Sequence, residues 1–406
     1  MGVPAAKPRV ALVHDWLTGM RGGEKVLRRL LRLFPDAELF TLIHIPGSCT
    51  ADIEAARPHT SWLNELPGVG RAYRHLLGLM PLAVERMSVD AFDLVVSSSH
   101  CVAKGIGGRR AAQVHVCYCH TPMRYAWNAA ADYARRMGGA GMALRAAGPL
   151  LRAWDRRTAA KVDRFLANSA CVAGRVARAY GRDATVVHPP VGVGFYTPGS
   201  VAREDFYLMV TALAPYKRVR MAMDAFARLD RRLVIIGTGP RLRRLRRAAP
   251  TNVELLGWRD AETVRDHYRR CRAVVFPQQE DFGIVPVEAM ACGAPVIAFA
   301  DGGALETIRD AGSPDEPEPT GLLFAPQTAE ALAAAVERFD ALVERFDPAV
   351  LRRHAERFAP ERFDAAFRAA VAPLLDERGW AAPWDAHPRH AGAPSRLTGP
   401  GRSRPD

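Results

Sequence analysis

Two runs of alternating strand and helix patterns, parted by a stretch in which neither can continue, constrain this chain more than any other feature. In the first run, short apolar and β-branched segments at Val10–His14, Leu94–Ser97, Val114–Tyr118, Phe165–Asn168 and Thr185–His188 alternate with arginine-rich helical patterns such as Glu24–Phe34. The second run is stricter. Tyr207–Ala212, Leu233–Gly237, Val253–Gly257, Ala273–Pro277, Pro295–Ala300 and Gly321–Phe324 read as strands, and Val219–Leu229, Pro240–Ala248, Ala261–Arg270, Ile284–Ala291 and Ala329–Phe339 as helices. Strands that alternate with helices predict parallel sheets covered on both faces. Between the runs, Pro189-Pro190-Val191-Gly192-Val193-Gly194-Phe195-Tyr196-Thr197-Pro198-Gly199 forbids continued helix or strand. The expected organisation is an α/β chain with a first domain over 1–190, a hinge over 191–204, a second domain over 205–361, a last amphipathic helix within 362–378 and a loosely attached tail over 379–406.

With 406 residues, 49% of them hydrophobic, the chain is long enough for two such cores. It has no run of about 18 uncharged apolar residues, and Met1–Pro8 lacks the apolar stretch of a signal peptide, so a cytoplasmic location is expected. Cys49, Cys101, Cys117, Cys119, Cys171, Cys271 and Cys292 are odd in number and form no Cys-x-x-Cys pair, which argues against a disulfide framework and a zinc site. Cys117 and Cys119 share a strand face and read as buried thiols. The net charge of +13 invites a nucleic-acid reading, but lysine occurs only at Lys7, Lys25, Lys104, Lys161 and Lys217. Basic character is then partly arginine drift, and no nucleic-acid-binding signature accompanies it, so no nucleic-acid partner is expected. The drift also singles out Lys25, Lys104 and Lys217, each in a glycine- or proline-marked turn.

The stretch from Gln279 to Ala298 carries the chemistry. Glu280 stands in a polar turn after a buried strand and Glu288 stands eight residues on, inside the helix that Gly283, Ile284 and Val285 open. The unpaired amides of that helix start favour an anionic, oxygen-rich ligand. Two carboxylates at this spacing can each accept the paired donors of a diol. Acidic residues at helical spacing are more often a solvated face, but here Gly283 between the acids and Cys-Gly-Ala-Pro after them complete a pattern. It resembles the Glu-x7-Glu signature of family 4 (group 1) retaining glycosyltransferases. The resemblance implies the GT-B fold, two Rossmann-like domains facing a cleft, with the C-terminal helix crossing back to the first domain.

Other motifs extend it over about residues 9 to 376. Lys217-Arg218 follows the first strand of the second half, where open α/β sheets bind ligands. The resemblance assigns Lys217 to the donor diphosphate. The arginine that the family commonly carries five residues earlier is Ala212 here, leaving Arg218 as the candidate second cation; the alternative is a surface pair on a helix start. Gly22 and Gly23 open a helix after strand one, where amides approach a phosphate without a Cβ clash. This turn lacks the full dinucleotide fingerprint, which disfavours hydride transfer. The family's paired glycines face the donor diphosphate.

His120-Thr121-Pro122 with Arg124-Tyr125-Ala126-Trp127, Ser97-Ser98-Ser99-His100 with Lys104-Gly105, and Asn168-Ser169 resemble the mannosyl-transferring branch. His120 would then lie at the acceptor side of the sugar, whereas on general grounds a histidine at a strand end is a structural residue. No Asp-x-Asp pair is present, so no metal is expected and fixed cations with helix amides would stabilise the leaving diphosphate.

The expected activity is transfer of a hexose, mannose from GDP-mannose, to a glycan or polyprenyl-linked acceptor in cell-surface polysaccharide synthesis. His120 and Glu280 would serve transfer; Gly22, Gly23, Lys217, Arg218, Gly283, Ile284, Val285 and Glu288 would hold the donor. No cofactor beyond the nucleotide sugar (GDP-mannose or a UDP-sugar) is expected. The rivals are a nucleotide-sugar epimerase or hydrolase on the same fold and a catalytically silent nucleotide-sugar-binding protein. A peripheral contact with an anionic membrane is also expected, because Thr121–Lys161 holds eight Arg or Lys against two Asp among apolar residues and Leu66–Met87 is rich in leucine. Both segments also read as ordinary helices packed on a sheet.

Overall fold

The computed structural model describes residues 6–108, 110–127 and 139–385. The chain divides into two compact units, one comprising the residues up to His188 together with those from Asp364 onward, the other Pro189–Phe363.

Among the described residues the first unit holds a seven-stranded parallel sheet. Its strands are β1 (Val10–His14), β2 (Glu38–Thr41), β3 (His59–Thr60), β4 (Leu94–Ser99), β5 (Val114–Cys119), β6 (Arg164–Ala167) and β7 (Ala184–Val186), in the order β3-β2-β1-β4-β5-β6-β7. Every residue of β1, β4 and β5 is buried, as expected of central strands with helices on both faces. Cys117 and Cys119 lie in that interior, and burial pushes the Cys117 thiol up to about 12. β2 and β3 went unread in the sequence, since Glu38-Leu39-Phe40-Thr41 has a single β-branched residue and β3 is two exposed residues long.

In the second unit β8 (Tyr207–Val210), β9 (Leu233–Ile236), β10 (Val253–Gly257), β11 (Val274–Phe276), β12 (Val296–Phe299) and β13 (Gly321–Phe324) form a parallel sheet ordered β10-β9-β8-β11-β12-β13. After β9 the chain passes so close to β8 that a Cβ on Gly237 would lie 1.7 Å from the Thr211 carbonyl oxygen. Only glycine fits, and its φ of +150° is one that glycine alone adopts readily.

In both sheets the strand order reverses once, between β1 and β4 and between β8 and β11. The crevice beyond the strand carboxyl ends at such a switch is where open α/β sheets take ligands.

The proline- and glycine-rich stretch from Pro189 belongs to the second unit. Val191, Val193 and Tyr196 enter its core, and the Val191 amide donates to the Phe358 carbonyl at 2.9 Å. The last long helix, Pro360–Asp376, joins the first unit from Asp364 onward. There Arg29 grips both oxygens of Asp364 at 2.6 Å, and Phe34 meets the rings of Phe367 and Trp384, each with centroids 5.9 Å away. The expected tail therefore begins with residues that pack on the first unit, and its remainder, 386–406, lies outside the described residues.

Candidate active site

At the switch point of the first sheet, the first residue after β1 is an acid sealed from solvent. Asp15 accepts the backbone N–H groups of His100, Cys101, Val102 and Ala103 at 2.6, 3.0, 2.6 and 2.8 Å, and the His100 Nδ1 lies 3.0 Å away. Burial opposes its charge, but the His100 imidazole and these hydrogen bonds hold the carboxyl well below the usual carboxylate range. Asp15 thereby fixes the loop after β4 against the end of β1.

Three imidazoles converge over it. The His14–His100, His14–His120 and His100–His120 ring centroids are 6.1, 6.5 and 6.3 Å apart. Ser98, the fifth residue of β4, lies between two of them, with its Oγ 3.1 Å from His14 Nδ1 and 2.8 Å from His120 Nε2. Burial and the neighbouring His100 lower the His14 pKa to about 4, and burial with the two other histidines holds His120 well below its ordinary value. His14 is fully buried and His120 half-buried.

Gly22 and Gly23 open the helix Gly22–Leu33 beside this cluster. A Cβ on Gly23 would lie 3.3 Å from His14 Cε1 and 3.7 Å from His120 Nε2, so the glycine lets the helix start approach the imidazoles. The structure thus brings Gly23 and His120 together.

Lys104 has another fate. It is buried in an ion pair with Asp155, which also accepts the Trp127 indole N–H and the Tyr180 hydroxyl, each at 2.8 Å. Burial opposes the ammonium's charge and the Asp155 carboxylate more than restores it, so its pKa is raised. This rare lysine and the Trp127 of the His-Thr-Pro motif are scaffold that ties the loop after β4 to the helix Gly139–Ala159.

At the switch point of the second sheet, Lys217 closes the short 3-10 turn Pro215–Lys217 after β8 and pairs with Glu280 in the loop after β11. The backbone of that loop is held by the segment after β12. Gly303 N–H donates to the Glu280 carbonyl at 2.9 Å, and a Cβ on Gly302 would lie 2.2 Å from the same oxygen. Gln279 reaches Asp301 at 2.8 Å. The lysine–glutamate pair is only 16% and 19% exposed at its side chains, so it is partly withdrawn from water yet reachable.

Gly283, in a left-handed conformation, caps the helix Ile284–Ala291. Ile284 and Val285 supply first-turn amides, whereas Pro286 has none to give. Glu288, one turn in, is buried and takes the Tyr268 hydroxyl at 3.4 Å. Burial, then the Glu288 carboxylate, raises the Tyr196 hydroxyl far above its ordinary value. Arg218 is exposed, in a left-handed conformation, with its Nε donating to Gln327 at 2.9 Å. Lys217, Glu280 and the helix start thus share one end of the second sheet.

Models of two protein families match this chain in succession, Glycosyltransferase Family 4 over residues 8–194 and Glycosyl transferases group 1 over residues 198–342. The chain belongs to the family 4, group 1 glycosyltransferases. It is 30% identical over 264 residues to a D-inositol 3-phosphate glycosyltransferase of Geodermatophilus obscurus, covering 55% of this chain and 55% of that relative. The chain thus spans about half the length of that relative. Among solved structures, Anabaena Alr3699/HepE in complex with UDP superposes with a TM-score of 0.65 at 16% identity, over 90% of this chain and 100% of that one. Sucrose-phosphate synthase from Thermosynechococcus elongatus gives 0.60 at 19% identity, over 92% and 98%. These likenesses establish the GT-B fold.

In this family 4 glycosyltransferase several site residues escaped sequence reasoning. His14 ends a predicted strand, and Ser98 and His100 belong to the Ser97–His100 motif, but their meeting with Asp15 depends on β1 and β4 being neighbours. Asp301-Gly302-Gly303 after a predicted strand was a readable signal for a close backbone approach. Among the described residues no group of three or more His, Cys, Asp or Glu is placed to hold a metal ion, and no helix is long and apolar enough to cross a membrane.

Proposed function

We propose that the chain transfers a hexose, with retention of anomeric configuration, from a nucleoside diphosphate sugar to a glycan or lipid-linked acceptor. One observation supports this reading above the others: Lys217, Glu280, Glu288 and the Gly283–Val285 helix start gather at the switch point of the second sheet. A diphosphate there would be met by the Lys217 ammonium, by the amides of Gly283, Ile284 and Val285, and by Arg218 swinging from Gln327. Glu288 would accept the ribose hydroxyls in place of its long contact with Tyr268. Glu280 would trade part of its lysine contact for the hexose.

As the sugar–phosphate bond breaks, negative charge develops on the leaving oxygen, and Lys217 with the helix amides would stabilise it. Within the first unit, Gly22 and Gly23 are the proposed donor-binding residues and His120 the proposed transfer residue, and Gly23 and His120 stand side by side. No carboxylate is assigned beneath the sugar, so the leaving diphosphate would take the acceptor proton. The His-Thr-Pro motif favours mannose from GDP-mannose. A UDP-sugar is the second reading, favoured by the HepE structures with UDP and with UDP-glucose.

Thermal melts with GDP-mannose, UDP-glucose, UDP-GlcNAc and GDP test this. A ligand at a hundred times its Kd should stabilise by about 2.7 kcal/mol. No stabilisation by any nucleotide would refute the reading, and stabilisation with hydrolysis or epimerisation in place of transfer would favour the rival enzymes.

The proposed acceptor side includes an anionic membrane surface. Leu79, Leu82 and Leu150 are exposed at 43, 44 and 75%, and Glu85, one turn after Leu82, binds Trp154 and Arg157, one and two turns after Leu150. Residues 128–138 of the basic segment lie outside the described residues. Binding to anionic vesicles should fall as salt rises, since such attraction is screened within about 8 to 10 Å. Equal binding to neutral and anionic vesicles would contradict it.

A further inference from the structure

We propose that Ser98 and His14 hold His120 as its Nδ1–H tautomer, so that the nitrogen left for a ligand is a hydrogen-bond donor to a sugar oxygen and not a base. This rests on the glycosyl-transfer reading for the nature of the substrate. A serine hydroxyl carries one proton, and a neutral imidazole carries one on either nitrogen. Ser98 Oγ touches His14 Nδ1 and His120 Nε2, and the burial of the cluster keeps both rings neutral.

Were both rings to donate to Ser98 Oγ, the hydroxyl proton of this fully buried serine would have no acceptor among the described residues, at the cost of an unmade buried hydrogen bond. Two patterns remain. In one, His120 Nε2–H donates to Ser98 and Ser98 donates to His14 Nδ1, which leaves an N–H at His14 Nε2. In the other, His14 Nδ1–H donates to Ser98 and Ser98 donates to His120 Nε2, which leaves a bare lone pair at His14 Nε2 and the His120 proton on Nδ1.

The far nitrogen of His14 decides between them. His14 Nε2 is buried and has no hydrogen-bond partner among the described residues. It faces the start of the twelve-residue helix Gly22–Leu33, where a Cβ on Gly23 would lie 3.8 Å from it. The positive end of a helix favours a lone pair and repels an N–H. An orphaned buried N–H is also rarer in proteins than an unused acceptor. The second pattern therefore holds.

His14 and Ser98 are positioning residues in this account, acting through His120. His120 Nδ1–H suits a hydroxyl or ring oxygen of a hexose, which agrees with the leaving diphosphate, and not the histidine, taking the acceptor proton. The paired glycines serve this arrangement too, because a side chain at Gly23 would push the helix start away from His14.

Multiple-bond 1H–15N spectra of the imidazoles test it on the full ligand-free chain at neutral pH. The expected result is a protonated Nδ1 and a bare Nε2 on both His120 and His14. Ser98→Ala should move the His120 proton toward Nε2 and lower turnover about tenfold with the donor KM unchanged, the loss of about one hydrogen bond. A wild-type His120 protonated at Nε2 overturns the assignment, as does a folded Ser98→Ala protein whose His120 keeps its proton on Nδ1. Because the spectrum needs no substrate, a chain with the assigned tautomer that transfers no sugar would refute the glycosyl-transfer reading and leave this one standing.

Discussion

His14 and Asp15 are adjacent in the chain, fully buried, and respond to acid in the same direction. His14 has a folded pKa of about 4 against an ordinary 6.5, because burial disfavours the imidazolium. Between those values the unfolded chain binds a proton that the folded chain refuses. The histidine's penalty is absent above pH 6.5 and grows as pH falls toward 4, reaching about 3 kcal/mol. Asp15 is held ionised, so its stabilisation is present above the ordinary carboxylate value and is lost as pH falls through the lower folded value. Urea unfolding at about pH 7 and about pH 4 should show a clear loss in the wild type and a smaller one in His14→Gln. Equal losses in the two proteins would contradict the assignment. None of this was visible in the sequence, where His14-Asp15 is a strand end like any other. The amides that Asp15 binds lie 85 to 88 residues further along.

The elements that sequence periodicity could place were those whose signal is local. The strand, turn and helix around Glu280 and Glu288 are contiguous, and the helix Ile284–Ala291 has the bounds its pattern predicts. Edge elements were not legible. β3 pairs with β2 through two residues, too few to show alternation. The C-terminal helix was legible as amphipathic, while its docking face follows from tertiary structure: Phe367 is fully buried against Phe34, and Val371 and Leu375 follow on the same face. Phe367→Ala should cost about 3–5 kcal/mol, as for a large aromatic removed from a packed core. Chemical denaturation checks this, and a loss well under 1 kcal/mol would mean that the helix contributes little to the first unit.

At the scale of the whole molecule, each unit is an open parallel sheet with a polar cluster at its switch point, and the two clusters differ in kind. The first sets imidazoles and a hydroxyl over a buried carboxylate; the second pairs a cation with a carboxylate beside a helix start. Within the second cluster Glu288 is buried and Glu280 is reachable, which makes the two glutamates separable. Titration calorimetry of the free nucleoside diphosphate against wild type, Glu288→Ala and Glu280→Ala tests the central claim most directly. Glu288→Ala should weaken nucleotide binding by about 1.5 to 3 kcal/mol through loss of a charged hydrogen-bonding pair, while Glu280→Ala should keep nucleotide affinity and lose sugar transfer. Unchanged nucleotide affinity in Glu288→Ala, or no nucleotide binding by the wild type, would contradict the account.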